Sequence, residues 1–278
     1  RSFVAQISIN RKLRSNMTVS NRLVHLNQVN TRQFKRVKNM NDRPSPTITI
    51  FGYGSLLSGW KCLKTCPSAC NHRVACIYGY ARVFNLVSVS QLKNGNANVE
   101  KNEIAAVSVK KSHDSSCQCL GVVFDINASD FEQLKVREHR YNITQMKAHD
   151  GADDSTFVDC HVFTASDDAT YKLKCSKEGA TVFHDVVGQF YGGSLWGRTD
   201  IYPVLKYLKF CCNAASKLTF RGDKEIVKKN FMESLLSDGV ETVKEYMERI
   251  AEEEELVTDE RSSERSSVTL EKGGESKR

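Results

Sequence analysis

Several short stretches between Thr47 and residue 166 contain apolar and β-branched residues that recur with a period close to two. Such stretches, bounded by turn-forming residues, predict β-strands. About six or seven strands are expected, from "TITIFGY", "HRVACIYGYARVFNLVSVS", "NEIAAVSVKK", "SCQCLGVVFDI", "YNITQMKAHD" and "TFVDCHVFTAS". The loop "HDGADDS" between the last two strands suits a hairpin.

One short helix is predicted among the strands, and more helices are predicted after them. The segment "NASDFEQLKVREHR" has apolar residues at helical spacing and Ser129 as its candidate N-cap. Helical periodicity returns in "IYPVLKYLKFCCNAASKL" and in two later runs, which are broken at Asp238-Gly239. The order of elements predicts an α+β domain with a mostly antiparallel, barrel-like sheet.

Changes in composition divide the chain into three parts. Residues 1–46 form a basic extension that ends in the proline-marked boundary "RPSPT". Residues 47–250 are expected to fold as one domain. Residues 251–278 are charged and rich in serine, and we expect this tail to be disordered because it has too few apolar residues for a core.

The distribution of charge argues against a nucleic-acid-binding protein. The formal net charge is +7, but nine basic residues precede the first acidic residue, Asp42, and without them the net charge is −2. The folded part therefore lacks the basic character of a nucleic-acid interface. No stretch reaches the roughly 18 apolar residues that a membrane-spanning helix needs, so no membrane partner is predicted.

The basic extension leaves two interpretations of the protein's location open. Its Arg- and Ser-rich, acid-poor composition is typical of a mitochondrial or plastid targeting peptide, and it is equally typical of a disordered basic arm. We expect a soluble protein of the cytoplasm, or of the mitochondrion or plastid if the extension is a targeting peptide.

The ten cysteines are expected to be reduced thiols, because the chain is long and shows no secretory signal. Cys62, Cys66 and Cys70 are spaced so that a helix would place them on one face. A metal site would need a second pair of ligands at suitable spacing, and Pro67 interrupts the segment. We predict no metal and no organic cofactor.

The first predicted strand ends in Gly52-Tyr53-Gly54-Ser55. Glycines at such a turn leave backbone N–H groups accessible, so the turn could bind an anion. It matches neither the dinucleotide-binding nor the Walker fingerprint, and it lacks the second glycine of a serine-hydrolase elbow. Taken alone, this segment is explained by an ordinary tight turn.

A second candidate residue is Glu138 in "FEQLKVREHRYN". Taken alone, it is interpreted as a solvated glutamate beside Arg137 and Arg140.

Taken together, "FGYGSLL" and the distant "FEQLKVREHRY" resemble the γ-glutamylcyclotransferase superfamily, which includes ChaC-type and AIG2-like proteins. "GYARVFN" and "CLGVVFDI" match the family's intervening strands in kind and order. The resemblance covers residues 47 to 165. It implies an α+β fold with a small, mostly antiparallel β-barrel and flanking helices.

The resemblance also implies the chemistry. The loop Tyr53, Gly54, Ser55 and Leu56 would hold the α-carboxylate of a γ-glutamyl group, and Glu138 would be the catalytic general base and then acid. The substrate's amine would attack its own γ-carbonyl, so that 5-oxoproline forms and an amine leaves. A carboxylate sheltered from water accepts the proton of the substrate's ammonium group more readily than a carboxylate in bulk water does.

Two further residues complete the predicted substrate site. Tyr141 would supply a hydroxyl to the cavity, and Arg82 would hold a substrate carboxylate, although a strand-surface arginine is an equally good interpretation of Arg82. Glutathione-acting relatives carry an Arg-Arg-aromatic cluster and an "RG…PGR" stretch, where this chain has "ARVF" and "NGNANVEKN". The substrate is therefore left open among glutathione, γ-glutamyl dipeptides and γ-glutamylamines.

The same departures and the long charged tails favour one alternative. In this alternative the chain is a non-catalytic, small-molecule-binding or regulatory module that uses the same cavity. The sequence makes no prediction of the oligomeric state.

Overall fold

The computed structural model describes residues 47–151 and 155–255. The predicted basic extension and most of the predicted tail lie outside these residues, so the targeting-peptide interpretation and the compartment stay predictions. The strands of the described part are β1 (Ile48–Gly52), β2 (Cys70–Tyr78), β3 (Tyr80–Val87), β4 (Glu103–Lys111), β5 (Gln118–Ile126), β6 (Asn142–His149), β7 (Phe157–Thr164) and β8 (Tyr202–Pro203). Its helices are α1 (Gly59–Thr65), α2 (Val89–Lys93), α3 (Ala128–Arg137), α4 (Asp168–Glu178), α5 (Leu205–Ala215), α6 (Ile226–Met232) and α7 (243–255), with a 3-10 turn at Ser55–Leu57 and a π-helical turn at His184–Gly188.

Five strands close into a barrel in the order β1-β5-β2-β6-β7. The neighbouring pairs are antiparallel except the closing pair, in which β1 runs parallel to β7 with Phe51 beside Val162. Closure leaves no unpaired sheet edge within this ring of strands. The predicted α+β class and mostly antiparallel barrel with flanking helices are confirmed.

The remaining strands form a second sheet in the order β3-β4-β8. The long stretch "HRVACIYGYARVFNLVSVS" therefore supplies two strands that enter different sheets. Gly79, with a φ of +73°, separates them. This left-handed conformation costs a glycine little, and it lets the chain turn from the barrel into the second sheet within one residue.

The core fills the barrel and the space between the barrel and the second sheet. Phe51, Phe84 and Phe124 are almost completely buried, as are Ile50 and Val122. Each such side chain contributes about 1.5–3 kcal/mol by leaving water. Both faces of β1 and β5 are covered, because residues 50–52 and 119–124 are buried without interruption.

The N-cap of helix α3 lies two residues before the predicted one. Asn127, and not Ser129, is the N-cap, because its side-chain oxygen accepts from the amide of Asp130 at 2.8 Å. The Asp130 carboxylate accepts in turn from the amide and the hydroxyl of Ser68, at 2.7 and 2.5 Å. These bonds fix the start of α3 against the segment that follows α1.

The C-terminal helices agree with the sequence pattern. Helix α5 forms as predicted, and α6 and α7 are separated by a segment that contains Asp238 and Gly239, whose φ is +76°. Helix α7 continues to residue 255, past the predicted domain boundary at 250. Helix α4 was not predicted, although Asp167 caps it by accepting from the amide of Thr170 at 2.8 Å.

The predicted stripe of Cys62, Cys66 and Cys70 does not form on one helix. Helix α1 ends at Thr65, Cys62 and Cys66 are buried, and Cys70 is exposed at the start of β2. Nowhere in the described ranges do three His, Cys, Asp or Glu side chains converge as metal ligands would. None of the helices described has the length and apolar character to cross a bilayer.

Candidate active site

A cavity of about 490 Å³ lies between the loop that follows β1, the C-terminal end of α3, and helices α2 and α5. Its volume is in the usual range for small-molecule sites. Six of the seven residues predicted from the sequence for the site line it: Tyr53, Gly54, Ser55, Leu56, Glu138 and Tyr141.

The loop after β1 needs glycine because other atoms approach it closely. A Cβ atom on Gly54 would lie 2.7 Å from both the Tyr207 hydroxyl oxygen and a Val107 methyl carbon. The loop continues into the 3-10 turn, whose first bond joins the Leu57 amide to the Gly54 carbonyl at 3.0 Å. The amides that precede Leu57 have no acceptor within the turn, so they are suited to bind an anion.

Glu138 is the C-cap residue of α3, and its amide donates to the Leu134 carbonyl at 2.9 Å. Its side chain is 17% exposed, far less than expected for a glutamate on a solvated helix end. The surface interpretation of Glu138 is therefore wrong for this structure. The cavity wall partly shelters the carboxylate, which also lies near two tyrosines.

Arg137 connects Glu138 to the loop. Its Nε lies 3.3 Å from a carboxylate oxygen of Glu138, and its Nη2 donates to the Ser55 hydroxyl at 3.1 Å. Its Nη1 donates to the Thr65 hydroxyl at 3.0 Å, at the end of α1. One guanidinium thus joins the end of α3 to the loop after β1 and to the end of α1, which lie 82 and 72 residues earlier in the sequence, and this role was not predicted.

Three tyrosines at the cavity stay protonated at neutral pH. Burial raises the pKa of Tyr53, Tyr141 and Tyr207 above its usual value, and the charge of Glu138 adds to the rise for Tyr53 and Tyr141. Tyr53 donates its hydroxyl hydrogen to the Phe163 carbonyl, and Tyr141 donates to the Val107 carbonyl at 2.8 Å. The Tyr141 oxygen therefore keeps the capacity to accept a hydrogen bond from a ligand.

Arg82 does not line the cavity, contrary to its predicted role in substrate binding. It is 4% exposed, and its Nε donates to the Tyr53 carbonyl at 3.1 Å. Its other nitrogens donate to the Leu120 carbonyl and to groups of Asn230 and Ser234. The guanidinium lies outside the cavity lining and supports the loop. Its nitrogens already donate hydrogen bonds to groups of the protein itself.

Several cavity residues were missed because they come from segments distant in sequence. Lys206, Tyr207 and Phe210 project from α5, and a group of neutral polar side chains lies on and after α2: Ser88, Ser90, Gln91, Asn94 and Asn96. The helical period of α5 predicts which of its residues are buried. Nothing in that period indicates that Lys206 and Tyr207 face a cavity formed by β1 and α3.

No family model and no curated protein matches the chain. Among solved structures, it is similar to a γ-glutamyl cyclotransferase at 17% identity, over 44% of this chain and 68% of that one, with a TM-score of 0.35. It is also similar to a yeast γ-glutamyl cyclotransferase specific to glutathione, at 14% identity over 66% of this chain and 95% of that one, with a TM-score of 0.40. A mouse AIG2-like protein matches at 16% identity, over 43% and 78% of the two chains, with a TM-score of 0.29.

At these identities and TM-scores the likeness is one of fold.

Proposed function

We propose that this chain is a γ-glutamylcyclotransferase-like enzyme. It would convert the γ-glutamyl group of a γ-glutamyl peptide or amine to 5-oxoproline and release the amine. One observation carries the proposal: Glu138 and the Gly54–Leu56 loop line the same cavity and are joined through Arg137. The cavity therefore combines a sheltered carboxylate with backbone N–H groups that can donate hydrogen bonds to an anion.

The loop would bind the substrate's α-carboxylate. Backbone N–H groups bind carboxylates well when they converge on a concave surface. Arg137 holds the Ser55 side chain, so the loop is fixed before the substrate arrives. Fixing the α-carboxylate also restricts the α-amine, which lies one carbon away, and brings it toward its own γ-carbonyl.

Glu138 would carry the proton. The substrate's α-ammonium gives one proton to Glu138, and the neutral amine then attacks the γ-carbonyl carbon to form the new C–N bond of the ring. Glu138 passes this proton to the departing nitrogen as the original amide C–N bond breaks, and it then transfers the extra proton of the ring nitrogen to the freed amine, which leaves as an ammonium. The atoms balance, since one γ-glutamyl compound gives one 5-oxoproline and one amine.

Tyr141 would orient the amine for this transfer. Its hydrogen is committed to the Val107 carbonyl, so its oxygen is the atom that faces a ligand as an acceptor. An ammonium that donates to Tyr141 and to Glu138 would be held with its third hydrogen free. Tyr141 would then position the nucleophile, and the proton itself would move through Glu138.

The test is the production of 5-oxoproline. The purified protein is incubated with glutathione, γ-glutamyl dipeptides and γ-glutamylamines, and 5-oxoproline is measured by mass spectrometry. Glu138→Gln should lower turnover by about 10²–10⁴-fold because it removes the proton carrier. The matched control is Glu132→Gln on the exposed part of the same helix, where the carboxylate pairs with Lys135.

Two outcomes would contradict the proposal. Full turnover by Glu138→Gln would show that another group moves the proton. A rise in melting temperature with a γ-glutamyl compound, without any 5-oxoproline after hours, would favour the alternative of a non-catalytic binding module.

A further inference from the structure

The cavity has a marked excess of positive charge. Of the described residues that line it, four are cations and one is a carboxylate: Lys61, Arg137, Arg140, Lys206 and Glu138. The lining thus has a formal net charge of three positive. In a partly enclosed site such a charge favours a ligand that brings negative charge of its own.

The four cations differ in how far the protein already satisfies them. Arg137 pairs with Glu138, and Lys206 donates to the Asn96 side-chain oxygen at 3.2 Å. Desolvation and the charge of Arg137 lower the pKa of Lys61, so this lysine lies in a positive environment.

Lys61 and Arg140 are the two lining cations for which the described residues supply no ion-pair partner, and only Arg140 has a planar group with several donors. No carboxylate in the described ranges pairs with its guanidinium, and its Nε is buried without a hydrogen-bond acceptor. A buried donor in this condition is destabilising, because it has lost its hydrogen bond to water without gaining another. A carboxylate is the acceptor that best matches a guanidinium, because it can accept two parallel hydrogen bonds.

The γ-glutamyl group alone does not balance this charge. Its α-carboxylate and α-ammonium cancel, so a γ-glutamyl derivative of a neutral amine enters with no net charge. An amino acid or peptide as the departing amine adds a second carboxylate. The loop and Glu138 occupy one side of the site in the proposed function, so this second carboxylate needs a separate cation.

Resting on the proposed function, we infer that Arg140 binds a carboxylate on the departing part of the substrate. The substrates are then γ-glutamyl amino acids or peptides, and γ-glutamyl derivatives of uncharged or cationic amines are poor substrates. Arg140 acts in specificity and takes no part in proton transfer.

The experiment compares two substrates that differ in one group, γ-glutamyl-alanine and γ-glutamyl-alaninamide. The wild-type protein should favour the acid over the amide by about 10- to 100-fold in kcat/KM, as expected for a charge-assisted contact. Arg140→Gln should reduce this ratio to near one, and Arg140→Lys should retain part of it. Lys209→Gln is the matched control, because it removes one charge from an exposed position on α5 that does not line the cavity.

The outcomes separate this inference from the proposed function. Equal turnover of the acid and the amide by the wild-type protein, or an unchanged ratio in Arg140→Gln, overturns the inference and leaves the cyclotransferase activity standing. No 5-oxoproline from either substrate overturns both. The wild-type comparison and Arg140→Lys keep the test decisive if Arg140→Gln does not fold.

Discussion

Replacing Arg82 by methionine is expected to destabilise the fold, because the guanidinium binds protein groups and not a ligand. Methionine keeps most of the apolar stem but donates no hydrogen bond. The Tyr53 and Leu120 carbonyls, which accept from Arg82, would lose this donor. The contact of the guanidinium with the Phe231 ring, 4.9 Å from its centroid, would also be lost.

The size of the effect follows from these contacts. Each buried acceptor left without a donor costs about 1–3 kcal/mol, so two acceptors give a loss of about 2–6 kcal/mol in the free energy of unfolding. A central value of about 4 kcal/mol corresponds to a fall in melting temperature of about 8–16 °C for a domain of this size.

The assay is thermal unfolding followed by circular dichroism. Arg73→Met is the control, because its side chain is 38% exposed and its ion pair with Asp150 should contribute less than about 1 kcal/mol. A melting temperature of Arg82→Met equal to that of the wild type would refute the reasoning. If that variant also lost affinity for a γ-glutamyl ligand, the predicted substrate-binding role of Arg82 would be restored.

Three further predictions concern the cavity and the thiols. Gly54→Ala should lower kcat/KM for a γ-glutamyl dipeptide by about 10- to 100-fold, since the added methyl would meet a tyrosine hydroxyl at 2.7 Å and shift the loop; wild-type kinetics would contradict this. Arg137→Met should lower kcat more than it raises KM, because it unlinks the loop from the candidate base, and an effect on KM alone would argue for simple binding. Burial raises the pKa of the Cys62 thiol to about 12, so its thiolate is scarce at pH 8 and increases only as the pH approaches that value. Iodoacetamide at pH 8 should therefore modify exposed Cys70 at least about tenfold faster than Cys62, as measured by peptide mass spectrometry; equal rates would show that Cys62 is accessible.

Strand positions were predictable because short apolar and β-branched runs bounded by turn residues mark strands, and this holds for β5 although it is buried on both faces. The cap of α3 was misplaced by two residues, since Asn127 and Ser129 are both good N-caps and local sequence does not rank them. Helix α4 was missed although Asp167 and the residues after it carry an N-cap signal. The strands, the cap of α3 and the start of α4 are all determined by residues that lie close together in the sequence.

The candidate site was predictable only in part, for a different reason. Two motifs, around Gly54 and Glu138, marked residues that the structure places in one cavity. Arg82 was misassigned because its acceptors lie in the loop after β1, on β5 and in the segment around α6, and no local pattern reveals a partner 148 residues away. Tyr207 and Arg140 were missed for the same reason, since their surroundings exist only after the barrel closes.

The closing pair of the barrel determines when the barrel can form during synthesis. Gly52 of β1 pairs with Val122 of β5, and Phe51 pairs with Val162 of β7. These partners are synthesised 70 and 111 residues after their counterparts in β1. At roughly 5–20 residues per second a ribosome needs about 5–20 s to supply the second of them. This apolar strand has two unpaired edges until β5 is made and one until β7 is made, and a chaperone that covers it in that interval should raise the yield of folded protein.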